Sequence, residues 1–162
     1  MSSAEAAVRV FKKLEEGDFR TLAAIEVRMT TFEYVPVEEI ARASSLFLDR
    51  INHHLRRLHG FGLVVRRAGT YVGYALNYAG YDVLAISALV NAGLLKAFGK
   101  TLGVGKEADV FDALTPDGSR IAVKFLRLGR ISFRQTRRKR GYLAEDKKVS
   151  WLCQSSLAAE RE

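Results

Sequence analysis

Cysteine is almost missing from this chain: Cys153 is the single one in 162 residues, which excludes a disulfide framework and a cysteine-based zinc site. Long apolar runs are missing too. The longest, residues 83–90, is broken by Ser87 and falls far short of the roughly 18 residues a helix needs to cross a bilayer. The opening Met1-Ser2-Ser3-Ala4-Glu5 lacks the basic-then-apolar pattern of a secretory signal. Hydrophobic residues make up 48% and charged residues 27%, near the globular average, so intrinsic disorder and fibrous repeats do not fit. The length suits one domain or two small ones.

A net charge of +8 is present, and its distribution is uneven. Residues 1–118 hold 14 basic and 14 acidic side chains, whereas residues 119–148 hold 11 basic and two acidic ones. The excess therefore belongs to one block of 30 residues. Such a block reads either as a local site for phosphate or acidic groups or as a solvated loop kept soluble by charge.

Apolar positions at Ala7, Val10, Phe11 and Leu14 predict a helix over 4–16, with Gly17-Asp18 as its stop. A second helix is expected over 19–29. After Pro36, the stretch 37–43 reads as a short helix with Glu38 and Glu39 opposing the dipole. Ser44 or Ser45 is then a candidate cap for the next helix. That helix, over 46–59, puts Leu48, Ile51, Leu55 and Leu58 on one stripe, with Gly60 as a stop. Two strands, 63–67 and 70–76, form a hairpin around Ala68-Gly69.

Helix, short helix, turn, longer helix and hairpin is the order of a winged helix, which enters the DNA major groove with its longer helix and touches the backbone with its wing. Arg50, Arg56 and Arg57 on the helix, with Arg66 and Arg67 on the wing, are the candidate nucleic-acid contacts. The neutral charge of this half favours a protein-contact module, and DNA is the less favoured partner. His53, His54 and His59 have no cysteine nearby and no evident carboxylate base, so they read as surface or packing residues. Residues 78–91 predict a further helix, stopped by Gly93 and expected to link two modules.

The glycine-rich segment 99–111 carries the most chemistry. A Walker-type loop needs a glycine where Lys100 stands and a hydroxyl where Glu107 stands, so a P-loop is excluded. A Rossmann loop opens a helix, yet 108–114 reads as a strand, 115–119 as a Pro-Asp-Gly turn and 120–126 as another strand. Strand, glycine loop, strand, turn and strand with lysine is the order of a kinase-like N-lobe. There, small residues let backbone amides approach phosphate oxygens and the strand lysine pairs with the α and β phosphates. Lys124 in Ala122-Val123-Lys124 is that lysine. Taken alone it would read as a snorkelling edge-strand residue; the loop before it favours phosphate.

At Gly103-Val104-Gly105-Lys106-Glu107-Ala108-Asp109-Val110-Phe111, Ala122-Val123-Lys124-Phe125 and Leu128-Gly129-Arg130-Ile131-Ser132-Phe133-Arg134 the sequence resembles the RIO-type atypical protein kinases, in the subfamily with an N-terminal winged helix. With the winged-helix order upstream, the resemblance covers nearly the whole chain. It implies that Gly103, Val104, Gly105 and Lys106 belong to the nucleotide loop and that Lys124 pairs with phosphates. Ala108 stands where ordinary kinases have a third glycine, a departure the family shares. By the same resemblance, 127–148 matches a flexible loop near the nucleotide, and the helix glutamate that pairs with the lysine corresponds to Glu162 or to Glu160.

A kinase also needs an aspartate to orient the substrate hydroxyl, and an asparagine with a second aspartate to hold magnesium. The only asparagines are Asn52, Asn77 and Asn91, all before Lys124, and nothing after Lys124 resembles either catalytic segment. The stretch 149–162 reads as a helix with no stop residue, so a truncated protein is expected. The expected fold is α+β: a winged helix over 1–77, a linker helix over 78–93, and over 94–162 an incomplete kinase N-lobe sheet with an exposed edge that invites association. For the intact protein, the resemblance implies a cytoplasmic serine/threonine protein kinase or ATPase using ATP and magnesium, acting in small ribosomal subunit maturation, with the pre-ribosomal subunit or ribosomal RNA as partner. The 162 residues alone are expected to be inactive. The competing expectation is a winged-helix nucleic-acid-binding module with a basic tail.

Overall fold

The structure, a computed structural model, describes residues 1–105 and 108–126. The elements are α+β: helices α1 (Ser3–Phe11), α2 (Glu16–Arg28), α3 (Val37–Ser44), α4 (Leu48–Gly60) and α5 (Tyr78–Asn91), with strands β1 (Val35–Pro36), β2 (Val64–Ala68), β3 (Val72–Leu76), β4 (Ala97–Val104), β5 (Ala108–Leu114) and β6 (Arg120–Leu126). The chain divides into two compact units at Leu95/Lys96. The winged-helix order is present in the first. Among the described residues no helix is long and apolar enough to cross a membrane.

Helix α1 opens on a capping box, in which the Glu5 amide donates to the Ser2 hydroxyl at 3.2 Å and the Ser2 amide to the Glu5 carboxylate at 2.8 Å. These two bonds satisfy amides that the first turn leaves open. The predicted stop at Gly17-Asp18 is not one. Helix α2 has already begun at Glu16, and the Glu15 amide donates to the Asp18 carboxylate at 3.0 Å. Gly17 is there because a Cβ would lie 2.2 Å from Nε2 of His54. Tight packing, not helix termination, fixes this glycine.

Neither Ser44 nor Ser45 caps α4, whose N-cap is Phe47. The Ser44 hydroxyl turns back to the Ala41 carbonyl and Ser45 ends α3 in the left-handed region at φ 55°. The Arg20 guanidinium covers both of their carbonyls, at 2.6 and 3.2 Å. Gly60 likewise lies inside α4, and the turn is made by Gly62 at φ +71°. Its amide donates to the His59 carbonyl and the Leu63 amide to the Leu58 carbonyl, the paired bonds of a Schellman stop.

The core of the first unit joins Leu22 and Ile25 of α2, Ile40 of α3, Ile51, Leu55 and Leu58 of α4, and Val83 and Ile86 of α5, all at most 1% exposed. Leu48 departs from the expected stripe and is 47% exposed. The wing is antiparallel, Arg66 facing Tyr74 and Ala68 facing Val72, and β1 adds a short third strand beside β3. The expected helix after the hairpin is α5, which packs against α1. Its start is tied down by Asn77, whose Oδ1 accepts from the Gly80 amide while Nδ2 donates to the Gly62 carbonyl.

The second unit is the antiparallel sheet β4-β5-β6. The turn between β5 and β6 closes through the Thr115 amide to the Ser119 carbonyl, with Gly118 at φ +89°. Phe98, Phe111 and Phe125, one from each strand, meet with ring centroids 5.6–6.1 Å apart. Ala113 beside them is 1% exposed. This is the apolar face; the alternation of a pleated strand sends the intervening residues to the other side.

Candidate nucleotide site

On that other side the register brings three positions into one row. Gly103 of β4 faces Val110 of β5, and Val110 faces Lys124 of β6. Each strand spacing is about 4.8 Å, so the row places glycine and lysine backbones about 10 Å apart. Ala122, two residues before Lys124, lies on the same face opposite Asp112. Val110 and Ala122 thus supply an apolar floor between a glycine and a cation. A Cβ placed on Gly103 would meet nothing within 4 Å, so the space above this end of the row is open.

Strand β4 reaches this position through two register shifts, between Phe98 and Thr101 and between Thr101 and Gly103. Each inserts an extra residue and bends the strand. Gly99 sits in the first of them, where a Cβ would lie 2.8 Å from a carboxylate oxygen of Asp112. That carboxylate accepts two hydrogen bonds from the Arg120 guanidinium at 3.2 and 3.0 Å, and the pairing raises the arginine's pKa. The Gly105 amide donates to the Ala108 carbonyl at 2.8 Å, closing the β4–β5 connection. Gly103, Val104 and Gly105 are all exposed.

Lys106, the alternatives Glu160 and Glu162, and most of the basic block lie outside the described residues. Among the described residues, the acidic groups around the row are not arranged as a magnesium site. Asp109 is fully buried on the face of the phenylalanines, and Asp112 is committed to Arg120.

The five candidate arginines are not equivalent. Arg50, Arg56, Arg66 and Arg67 are exposed, and Arg67 lies over the Tyr34 ring at 5.2 Å with Glu33 at 3.7 Å. Arg57 turns inward instead: its guanidinium donates to Asp18 at 3.1–3.4 Å and to the Lys13 carbonyl at 2.9 Å. Asp18 is 0% exposed and also meets Nδ1 of His54 at 2.8 Å. No carboxylate is evident beside the histidines in the sequence, yet His54 has one, 36 residues upstream. The only signal was that His54 and Arg57, three apart, share a helix face. Burial opposes ionisation of Asp18, but hydrogen bonds from Arg57, the Glu15 amide and His54, with the charge of Arg57, outweigh it and lower its pKa.

A winged-helix unit together with an antiparallel sheet carrying a glycine connection and a strand lysine defines the class: a protein-kinase-like N-lobe with an N-terminal winged helix. Known proteins narrow it. The family model described as Rio2, N-terminal, matches residues 11–92, and the RIO domain model matches residues 109–162. The RIO-type serine/threonine-protein kinase Rio2 of Methanocaldococcus jannaschii is 48% identical over 134 residues, covering 83% of this chain and 48% of its own length. The serine/threonine-protein kinase rio2 of Dictyostelium discoideum is 38% identical over 154 residues, 95% of this chain and 30% of its own. Among solved structures, the Rio2 kinase–ADP/Mg2+–phosphoaspartate complex from Chaetomium thermophilum superposes with a TM-score of 0.72 at 29% identity, covering 88% of this chain and 42% of that one. The chain belongs to the Rio2 family of RIO-type serine/threonine protein kinases. It corresponds to the N-terminal part of such a kinase, spanning about half the length of the Methanocaldococcus relative and under a third of the Dictyostelium one.

Proposed function

We propose that the chain binds ATP on the open face of β4-β5-β6. The observation that carries this reading is the cross-strand row Gly103, Val110, Lys124, apolar in the middle, open at the glycine and cationic at the lysine. Val110 and Ala122 offer the flat apolar surface that a nucleobase needs, and the Lys124 ammonium offsets phosphate charge. Gly103, Val104, Gly105 and Lys106 form the connection whose small residues admit phosphate oxygens to the main chain. Glu162, or Glu160, is assigned to hold the Lys124 ammonium in place. When bound, ATP supplies a transferable γ-phosphoryl group. The residues of this chain hold and orient it; none is assigned to receive the proton of an attacking hydroxyl or to ligate magnesium. The 162 residues by themselves are therefore assigned binding without transfer.

Titration with a fluorescent ATP analogue tests this. Lys124→Ala should weaken binding at least about tenfold, the scale of one lost charge-assisted contact, and Gly103→Val should do the same by filling the open end. Unchanged affinity in both variants would overturn the proposal. Phosphate transfer from ATP by the purified chain, abolished by Lys124→Ala, would overturn the assignment of binding alone. The small ribosomal subunit role in the cytoplasm, with ribosomal RNA or the subunit precursor as partner, belongs to the same proposal. Exposed Arg50, Arg56, Arg66 and Arg67 are its candidate contacts, and their joint replacement should flatten the salt dependence of RNA binding.

A further inference from the structure

Away from the sheet, the first unit gathers a second set of chemically capable side chains that the nucleotide reading does not use. Glu15, His53 and His54 each bring one ligand atom within 4.8 Å of the others. Glu15 stands just ahead of α2, and both histidines stand on α4. Two imidazoles and a carboxylate are the donor set that borderline divalent transition metals favour over magnesium or calcium.

The surroundings prepare these donors for a metal. Nδ1 of His54 lies 2.8 Å from a carboxylate oxygen of the buried Asp18, so that ring nitrogen is already engaged and Nε2 is the one left to a metal. A buried carboxylate that fixes the tautomer of a ligating histidine is the usual partner behind an imidazole–metal bond. Nε2 has no hydrogen-bond partner among the described residues, yet the only buried side-chain N or O atom left without one there is Nε of Arg28. Nε2 of His54 therefore still reaches solvent, although the side chain is 7% exposed. Its neighbour His53 stands edge to face with it, ring centroids 5.2 Å apart, and is exposed. The Glu15 carboxylate is 60% exposed, and one of its oxygens lies 3.2 Å from Arg57, leaving the second for a metal.

We propose that Glu15, His53 and His54 bind a divalent transition metal, zinc by best fit, with water at the fourth position. Tetrahedral zinc separates its ligand atoms by about 3.3 Å, and torsional adjustment of the exposed Glu15 and His53 side chains closes the remaining distance. The bound ion clamps the chain ahead of α2 to α4 across the same junction that Asp18 and Arg57 already hold.

The test is a titration of the full chain with zinc against a chromogenic chelator at neutral pH, and with cobalt(II) followed by its visible d–d absorption, in the absence of nucleotide. A single site with the intense spectrum of four-coordinate cobalt is expected. His53→Ala and Glu15→Gln, both at exposed positions, should each weaken binding at least about tenfold while the circular dichroism spectrum is unchanged. Cys153→Ser should bind as the parent does. Failure of the parent chain to bind, equal affinity in the His53 and Glu15 variants, or loss of the site with Cys153→Ser would each overturn the proposal. None of these outcomes depends on whether ATP binds.

Discussion

The two units spend their charged side chains differently. In the winged-helix unit, several charges are turned inward: Asp18 is shared by His54 and Arg57, Arg20 covers the carbonyls that end α3, and Arg28 pairs with Glu39. In the sheet unit, the three phenylalanines take one face and Lys124 stands exposed on the other. A basic residue on a helix of a DNA-binding shape is thus a poor indicator of a nucleic-acid contact, since Arg57 has an internal partner. A basic residue on an open sheet face, aligned with a glycine and a small apolar floor, is a better indicator of a ligand.

The sheet unit offers the largest test of this contrast. Phe111→Ala removes two of the three aromatic contacts on its apolar face and should cost about 4 kcal/mol. Hydrogen exchange should then lose protection along β5 and β6, and nucleotide affinity should fall with it. In the winged helix the comparable blow falls on a polar residue. Asp18→Asn leaves the Arg57 charge with only the exposed Glu15 carboxylate beside it and should destabilise by about 3 kcal/mol in denaturant unfolding.

The same residue gives the pH dependence its sign. The folded pKa of Asp18 lies below its ordinary 3.8, so its contribution is complete above that value and is lost as pH falls through the folded one. Acid unfolding followed by circular dichroism should show a shallower limb in Asp18→Asn than in the parent. Gly17→Ala drives a methyl into the His54 ring and should cost about 2 kcal/mol. Gly62→Ala has open space but an unfavourable φ, and should cost about 1 kcal/mol. If Gly17→Ala proved the milder of the two, the tight seat of His54 would be wrong.

How far the sequence disclosed all this depended on the range of the interaction. The strands β5 and β6 and the turn between them occur at the residues expected, because alternation and Pro-Asp-Gly chemistry are local. The row Gly103, Val110, Lys124 follows from strand pairing once the turn is fixed, although Val110 and Ala122 gained a role only from the register. The Asp18–His54 pair was invisible because its partners are brought together by helix packing. Gly17 is indistinguishable from a helix stop for the same reason: a glycine that ends a helix and one seated under a ring look alike in one dimension. The two-residue strand β1 is too short to carry any period.

The two register shifts in β4 have a consequence beyond the site. Among the described residues β4 is an edge of its sheet, with Leu102 and Val104 each 58% exposed, the kind of edge on which a foreign strand can add. An incoming strand with a regular repeat would match its donors and acceptors over only a few residues before falling out of phase at each extra residue. The irregularity that carries β4 to Gly103 thereby makes the same strand a poor template for chain-to-chain pairing.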